Sequence, residues 1–237
     1  MTSPSRKAYH RSTTPLAKSS TFKLEDSKQV LSQYSIPSSA KKLEAVVDKQ
    51  NQIVNGACKV FFKKGFNRTS IREIALACGM SMGQMYHYIS SKDDILFLVH
   101  KHMHELWINR LISSGVDDIQ DPELRLKKAI RATIELIIEH RKLFQFVYTE
   151  SKHLARRHLK LVLEIDEKTT LHFWRQLILE LETKRFTEKE IPLAASLIAF
   201  LNVFDSLRGW TVRDAGREAI VNFLTDFSIR GMGLSAS

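Results

Sequence analysis

Residues 53–98 read IVNGACKVFFKKGFNRTSIREIALACGMSMGQMYHYISSKDDILFL, and this stretch decides the fold. Its apolar residues recur at helical spacing, and glycine interrupts the pattern twice, at Gly65 and at Gly79. The pattern therefore predicts a short polar helix between more apolar ones. This order of helices is the layout of a helix-turn-helix, in which one short helix enters the major groove of DNA.

Local signals for helix ends support this interpretation. Gly65 follows two lysines and supplies a left-handed cap for the first helix. Ser70, with a glutamate three residues later, forms a capping box for the second helix. Gly79 permits the tight turn that follows, Ser81 caps the third helix, and Ser91 opens a fourth.

The same stretch resembles the N-terminal domain of TetR/AcrR-type transcriptional regulators. The family pattern runs F-x-x-x-G, T-[ST]-x-x-x-I-A, G-x-S-x-G-x-x-Y-x-[HY]-[FY] and S-K-[DE], which residues 61–65, 69–75, 79–88 and 91–93 follow. One departure is Ile89, where the family usually has Phe, so an aromatic contact is lost. The resemblance implies a homodimeric repressor that a small effector bound in its C-terminal domain releases from a palindromic operator.

The third helix is predicted to read base edges. Gln84 can pair bidentately with adenine, Gly83 permits a close approach, and Met82 can pack on a thymine methyl group. The remaining contacts are expected at phosphates and groove walls. The whole predicted DNA-binding set is Arg68, Thr69, Ser70, Arg72, Ser81, Met82, Gly83, Gln84, Tyr86, His87 and Lys92, in which Thr69, Ser70 and Lys92 are expected to clamp phosphates.

The positive charge is concentrated in the N-terminal half. The net charge is +10, and residues 1–110 hold seventeen Lys/Arg against eight Asp/Glu, whereas residues 111–237 hold nineteen against eighteen. This asymmetry favours a polyanion as the partner. Residues 1–40 are rich in Ser, Thr and Pro, which predicts a disordered basic arm that follows DNA or is a dispensable leader.

The pattern beyond the motif predicts an all-α chain. We expect roughly nine helices, of which the first three form the DNA-binding head. Long helices are predicted over residues 93–113 and 154–181, and another from a Thr187–Glu190 capping box to about Trp210. The last helix is predicted over residues 216–230. The predicted domains are the arm (1–40), the helix-turn-helix domain (41–91) and a helical domain for ligand binding and dimerisation (92–237).

Two apolar helices near the C-terminus predict the dimer interface. The helix after residue 190 is apolar on more than one side, so it must be covered on several sides. The resemblance implies that the last two helices of each subunit pair in a four-helix interface. The predicted interface residues are Leu193, Leu197, Phe200, Phe204, Leu207, Ile220, Phe223, Leu224 and Phe227.

An effector pocket is predicted from aromatic residues beside a basic patch. The candidate lining residues are Trp107, Phe144, Tyr148, Arg156, Arg157, Phe173 and Trp174. An anionic head group with an apolar tail would suit such a lining, and the resemblance extends to the branch of the family that senses acyl-CoA thioesters. The alternatives are ordinary core packing for the aromatic residues and a solvated face for the basic ones. An aromatic or hydrophobic drug-like molecule, or a metal, is the alternative effector.

The sequence indicates neither a cofactor nor catalysis. His100 and His104 have the spacing of metal ligands on a helix, but no third ligand is evident, so no metal site is predicted. Cys58 and Cys78 form no CxxC motif and are expected to be buried thiols.

The chain has no H-E-x-x-H motif and no glycine-rich phosphate loop, which argues against an enzyme. The second rival class is a nonspecific architectural DNA-binding protein. Residues 1–20 have no apolar core of a signal peptide, and the longest apolar run, 194–204, is too short to span a bilayer. A cytoplasmic location is therefore expected.

Overall fold

The protein folds into α-helices, as the sequence predicts. The computed structural model describes residues 22–38, 43–181 and 185–235, and no β-strand occurs in these ranges. The helices are α1 (Leu24–Ser32), α2 (Leu43–Lys64), α3 (Ile71–Cys78), α4 (Met82–Tyr88), α5 (Lys92–Ser113), α6 (Pro122–Glu139), α7 (Arg141–Glu150), α8 (Arg156–Asp166), α9 (His172–Glu180), α10 (Ile191–Asn202), α11 (Phe204–Arg208) and α12 (Arg217–Gly231).

The prediction of a disordered arm is wrong for residues 22–38. Helix α1 packs against α5, and its residues Leu24 and Leu31 are 0% and 2% exposed. The backbone N–H of Leu24 donates to Asp117 at 2.9 Å, and Lys168 donates to the hydroxyl of Tyr34 at 3.2 Å. These partners lie far away in the sequence, which is why local composition did not predict the helix. The rest of the predicted arm lies outside the described residues.

Helices α2, α3 and α4 form the head, and α2 and α3 cross closely. Gly56 faces Cys78 at the crossing, where an added Cβ atom would lie 2.3 Å from the Cys78 sulfur and 3.1 Å from its backbone nitrogen. The crossing thus depends on a residue without a side chain. At the turn that follows α3, Gly79 has a φ of 65°, the left-handed conformation that the sequence predicts.

Helix α5 is the central helix of the body. It is buried on several sides, because α1, α2, α6 and α8 all pack against it. The predicted helix over 154–181 exists as α8 and α9 joined by one π-helical segment, Glu167–Leu171. Thr169 is fully buried in that segment, and its hydroxyl donates to the Ile165 carbonyl at 2.8 Å.

The helix predicted to open at the Thr187–Glu190 capping box begins only at Ile191 and is broken at Val203. Helix α10 ends at Asn202 and α11 begins at Phe204, which brings the buried Asp205 within 3.6 Å of Arg141 on α7. No single helix in the described ranges is long and apolar enough to cross a membrane. The α10 segment together with Phe204–Thr211 reaches that length and composition only as a pair bent by 52°.

Candidate nucleic-acid interface

Helix α4 is held to the head by one face and presents the other outward. Met85 is fully buried beneath it, whereas Gly83, Gln84 and His87 are exposed and Tyr86 is 52% exposed. Met82 is half-buried against the core. The exposed residues are those that the sequence predicts to read DNA, and Met85 is the core residue that its spacing predicts.

Ser81 and Gln84 cap α4 reciprocally. The backbone N–H of Gln84 donates to the Ser81 hydroxyl at 3.1 Å, and the backbone N–H of Ser81 donates to the Gln84 amide oxygen at 2.9 Å. In a bidentate contact with adenine, the Gln84 amide oxygen would either accept a second hydrogen bond or release the Ser81 N–H. Residues 79–83 also match the G-x-S-x-G motif of a nucleophile elbow, but Ser81 begins a helix after a turn from another helix, so it is a cap.

Side chains outside the motif support the C-terminal ends of α3 and α4. Gln52 donates to the Cys78 carbonyl at 2.7 Å, and Gln50 donates to the Tyr88 carbonyl at 3.5 Å. Ser38, from the N-terminal segment, donates to the carbonyl of His87 at 2.9 Å. Our sequence analysis missed these three residues, because a polar residue on an exposed helix or loop carries no local signal of such a distant partner.

Lys92 does not point outward as a phosphate clamp, contrary to the prediction. Its ammonium group donates to the carbonyls of Phe66 and Thr69 at 2.8 Å each and to that of Asn67 at 3.3 Å. It also lies 4.4 Å from the centre of the Phe66 ring. Partial burial lowers the pKa of Lys92. The lysine thus holds the α2–α3 loop from inside the head.

Thr69 is a second correction to the predicted phosphate contacts. It is 3% exposed, and its hydroxyl donates to the Gly65 carbonyl at 2.8 Å. Ser70 and Arg72 are exposed, and so is Arg68, whose Nε donates to the Lys64 carbonyl at 3.0 Å. The described geometry therefore leaves Ser70, Arg68 and Arg72 as the outward-facing polar groups around the N-terminus of α3.

Glu73 completes the cap of α3. Its carboxylate accepts from the backbone N–H of Ser70 at 2.8 Å and also pairs with the ammonium group of Lys64. These contacts, Lys64 first, lower the pKa of Glu73 to about 2. The negative charge at this edge of the head is thereby neutralised by a lysine, and a phosphate nearby meets less repulsion.

The N-terminus of α5 joins the head to the body through a cluster of charged and polar side chains, in which Asp94 and His158 are buried. Asp94 accepts the backbone N–H groups of Ser90 and Ser91 at 2.7 and 3.0 Å, and Arg157 donates to it at 3.0 Å. His158, 4% exposed, lies between Asp93 and Asp94. Arg157 therefore fixes this junction, which corrects its predicted place in an effector pocket.

Aromatic residues make a second contact between head and body. Phe61 of α2 stacks on Phe146 of α7 with ring centres 5.1 Å apart, and Phe66 stacks on His153 at 5.6 Å. His153 also lies 3.3 Å from the Asn67 amide. Part of the basic patch over residues 153–160 is thus used to hold the head in place.

The predicted pocket aromatics are mostly closed core. Phe173 packs edge to face against both Trp107 and Trp174, and the Trp107 indole donates to Thr133 at 3.0 Å. Phe144 is 4% exposed. Neither of the two larger cavities described below is lined by any predicted pocket residue. Arg156 is exposed at the start of α8.

Tyr148 differs from the other predicted pocket residues. It is 45% exposed and lies near Asp166 of α8. Burial, with a smaller contribution from Asp166, raises the pKa of Tyr148 to about 12, and burial raises the pKa of Asp166 as well. The Tyr148 hydroxyl therefore stays protonated at neutral pH.

His100 and His104 are both buried on one face of α5. His104 Nδ1 lies 3.4 Å from the Thr170 hydroxyl, whereas His100 Nε2 has no hydrogen-bond partner. Burial lowers the pKa of His100 to about 3 and that of His104 to about 4. In the part of the chain that the structure describes, no group of three His, Cys, Asp or Glu residues has the arrangement of a metal site.

Cys58 and Cys78 are free thiols, as predicted. Cys78 is buried and Cys58 is half-buried. Burial raises the pKa of Cys58 to about 12 and also raises that of Cys78. Neither thiol is therefore activated as a thiolate at neutral pH.

Helices α10 and α12 leave an apolar face uncovered. Five of the nine predicted interface residues are 54–70% exposed: Leu193, Leu197, Phe200, Phe223 and Phe227. Phe204, Leu207 and Ile220 are half-buried, whereas Leu224 is 6% exposed and belongs to the core of the protomer. A cavity of about 280 Å³ lies between the two helices on this face.

The fold and the exposed face of α4 define the class of protein: a helix-turn-helix head on a helical body. The profile described as "Bacterial regulatory proteins, tetR family" matches residues 53–99. The uncharacterized HTH-type transcriptional regulator YuxN of Bacillus subtilis is 23% identical over 78% of this chain, and the match covers 64% of that relative. Residues 53–99 therefore match the tetR family, and the chain is similar to helix-turn-helix transcriptional regulators over a larger part of its length.

Solved structures show the same fold. A bacterial regulatory protein of the tetR family from Rhodococcus RHA1 aligns over 79% of this chain and 98% of its own, with a TM-score of 0.66 and 21% identity. The regulator AibR, solved in complex with isovaleryl coenzyme A and operator DNA, aligns over 75% of this chain and 96% of its own. Its TM-score is 0.62, also at 21% identity. The likeness extends through the body as well as the head.

Proposed function

We propose that this protein is a homodimeric transcriptional repressor that binds a palindromic operator through α4 and leaves it when a small effector binds to the body. The observation that carries the proposal is the outward face of α4, where Gln84, Tyr86 and His87 are exposed on a helix anchored by Met85. Two such helices, one from each subunit, would enter successive major grooves about 34 Å apart. Such a repressor acts in the cytoplasm, beside the DNA.

The uncovered face of α10 and α12 supports the dimer. Large exposed apolar patches are rare on monomers and mark interaction surfaces. The face contains three phenylalanines, and Phe223 and Phe227 stack with ring centres 6.1 Å apart. An isologous contact between two copies would cover it on both.

We favour an acyl-CoA thioester as the effector. The fold is similar to that of AibR, which was crystallised with isovaleryl coenzyme A. The exposed side chains of Lys152, Arg156 and Lys160 supply positive charge around the start of α8 for an anionic group. The described aromatic core is closed, so an acyl chain would have to open a path beside Trp107 and Phe173.

Other classes of effector would need different features of the helical body. An aromatic drug-like molecule would need the same opening but not the surface cations. A metal effector would need a third ligand to join His100 and His104. A thermal-shift series with acyl-CoAs, aromatic drugs and divalent metals separates these classes, because only the true effector raises the melting temperature at low concentration.

The proposed DNA binding is tested by selecting bound fragments from genomic DNA and footprinting the best one. We expect a palindromic footprint and an affinity at least about a thousandfold above that for random DNA. An architectural protein would instead give salt-dependent binding without a preferred site. That outcome would overturn the proposal.

Gln84→Ala tests whether α4 reads bases. We expect a loss of about 1–3 kcal/mol on the selected operator and a relaxed preference at one base position, because the side chain that pairs with the base is removed. The matched control is Ser81→Ala, which loosens the cap of α4 but leaves Gln84, and should weaken all sequences equally. If Gln84→Ala also weakens all sequences equally, Gln84 is not a base reader.

A further inference from the structure

A groove of about 620 Å³ lies where the N-terminal segment, the head and the body meet. One wall is α1 and the residues after it, the second is α2 of the head, and the third is α5 of the body. Its volume lies within the range of small-molecule sites, about 300–1,000 Å³. It is separate from the predicted aromatic pocket and from the exposed face of α10 and α12.

The floor of the groove is apolar. Leu31, Ile36 and Val46 are 2%, 4% and 8% exposed, so they are held in place by packing. Val47 stands beside them and is 48% exposed, which leaves an aliphatic side chain in water. An aliphatic ligand that covered Val47 would remove this apolar surface from water and gain stability by doing so.

A lysine on the rim of the groove, Lys101, has an ammonium group that can donate hydrogen bonds to a ligand. The side chain of Lys101 is 18% exposed, yet its ammonium group lies 3.8 Å from Glu105, which is longer than a hydrogen bond. Lys28 is a second rim lysine, and its partner Glu25 lies outside the groove at 3.3 Å. Two lysines and one glutamate leave the lining with a net positive charge.

From this geometry we propose that the junction groove binds an amphipathic monoanion, an aliphatic chain that ends in a carboxylate. The carboxylate takes a charge-assisted hydrogen bond from Lys101, with Lys28 contributing its charge, and the aliphatic chain covers Val47 and reaches Ile36. The ligand touches all three elements, so it favours the arrangement in which the N-terminal segment holds the head against the body. This site is in addition to the effector site proposed above.

Octanoate, octanamide and acetate are the probes for a calorimetric titration of the full chain. Octanoate should bind saturably, whereas octanamide, which lacks the charge, and acetate, which lacks the chain, should bind at least about tenfold more weakly. Lys101→Met keeps the aliphatic stem but removes the ammonium group, and should weaken octanoate by at least about tenfold. Lys142→Met removes an exposed lysine of α7 outside the groove and should leave binding unchanged.

Hydrogen exchange locates the site independently of the affinity. Saturating octanoate should slow exchange in residues 24–38, and Val47→Asp, which places a carboxylate at the floor, should abolish that protection. The proposal is overturned if octanoate does not saturate, if Lys101→Met binds it as the wild type does, or if protection appears elsewhere. None of these measurements involves DNA, so the result is independent of the proposed repressor function.

Discussion

Lys92 illustrates how one side chain can be mistaken for a DNA contact. Its ammonium group bonds three loop carbonyls inside the head, so Lys92→Met should remove these bonds and leave the acceptors poorly paired. We expect the free energy of unfolding to fall by about 1–3 kcal/mol, which urea denaturation measures. Lys63→Met, at an exposed position in the last turn of α2, should change it by no more than about 0.5 kcal/mol.

The salt dependence of DNA binding then separates the two roles of Lys92. In a plot of the logarithm of the DNA-binding constant against the logarithm of the salt concentration, each phosphate contact contributes about one unit to the slope. A lysine with only a structural role contributes nothing to this slope. We expect the folded Lys92→Met variant to have the same slope as the wild type. A slope reduced by about one unit would return Lys92 to the phosphate contacts.

The burial of His100 and His104 predicts how the free energy of unfolding depends on pH. Burial lowers their pKa values from 6.5 to about 3 and about 4, so between pH 6.5 and pH 4 the unfolded chain binds protons that the folded chain does not. Their stabilising contribution is complete above pH 6.5 and is lost as the pH falls. Each histidine then contributes a slope of up to about 1.4 kcal/mol per pH unit in the free energy of unfolding.

Urea denaturation between pH 4.5 and pH 7.5 tests this dependence against the double variant His100→Leu, His104→Leu. The variant should show a shallower slope, because neither leucine binds a proton. It should also be no less stable than the wild type below pH 6, since His100 Nε2 has no hydrogen-bond partner to lose. Parallel curves for the two proteins would show that these histidines do not titrate as expected.

At the level of elements, the crossing of α2 and α3 depends on Gly56. An alanine there would place its Cβ atom 2.3 Å from the Cys78 sulfur and 3.3 Å from the backbone carbon of Ala77. We expect Gly56→Ala to lower the free energy of unfolding by about 1–3 kcal/mol, although alanine favours a helix more than glycine does. Thermal denaturation, followed by circular dichroism, measures the loss.

Two further variants establish that the loss comes from this contact. Adding Cys78→Ala to Gly56→Ala removes the sulfur and should restore part of the stability. Asn55→Ala, at an exposed position of the same helix, should be neutral or slightly stabilising. If Gly56→Ala is stabilising, the two helices have more room at the crossing than the described distances allow.

The sequence predicted the elements whose ends are marked by neighbouring residues. It did not predict features that depend on contacts with residues far away in the chain. Ser70, Ser81 and Ser91 cap their helices as expected, because each cap is completed within three residues. Helix α1 was missed, since it is held by Asp117 and by the Arg125 guanidinium, which donates to Asp117 at 2.9 Å. The roles of Lys92 and Arg157 were wrong for the same reason: the sequence gives their charge but not their partner.

For the whole molecule, the head is tied to the rest of the protein at several separate contacts. Ser38 reaches the end of α4, Phe61 stacks on Phe146, and Arg157 holds Asp94 at the start of α5. An effector that moves α8 would act on α5 through Arg157 and His158, and the head would follow as a unit. In the proposed dimer, the angle between the two heads would then depend on the contact between the two subunits.

The last prediction concerns the proposed contact between the two subunits. Leu197→Glu and Phe223→Glu each place a charge on the uncovered face of α10 and α12, where both native side chains are more than half exposed in the protomer. Each should leave the protomer folded but raise the dimer dissociation constant at least about tenfold, because an isologous interface repeats the buried charge on both sides. Leu163→Glu, on the exposed face of α8, is the matched control. Sedimentation velocity measures the association, and a dimer that persists unchanged in both variants would place the interface elsewhere.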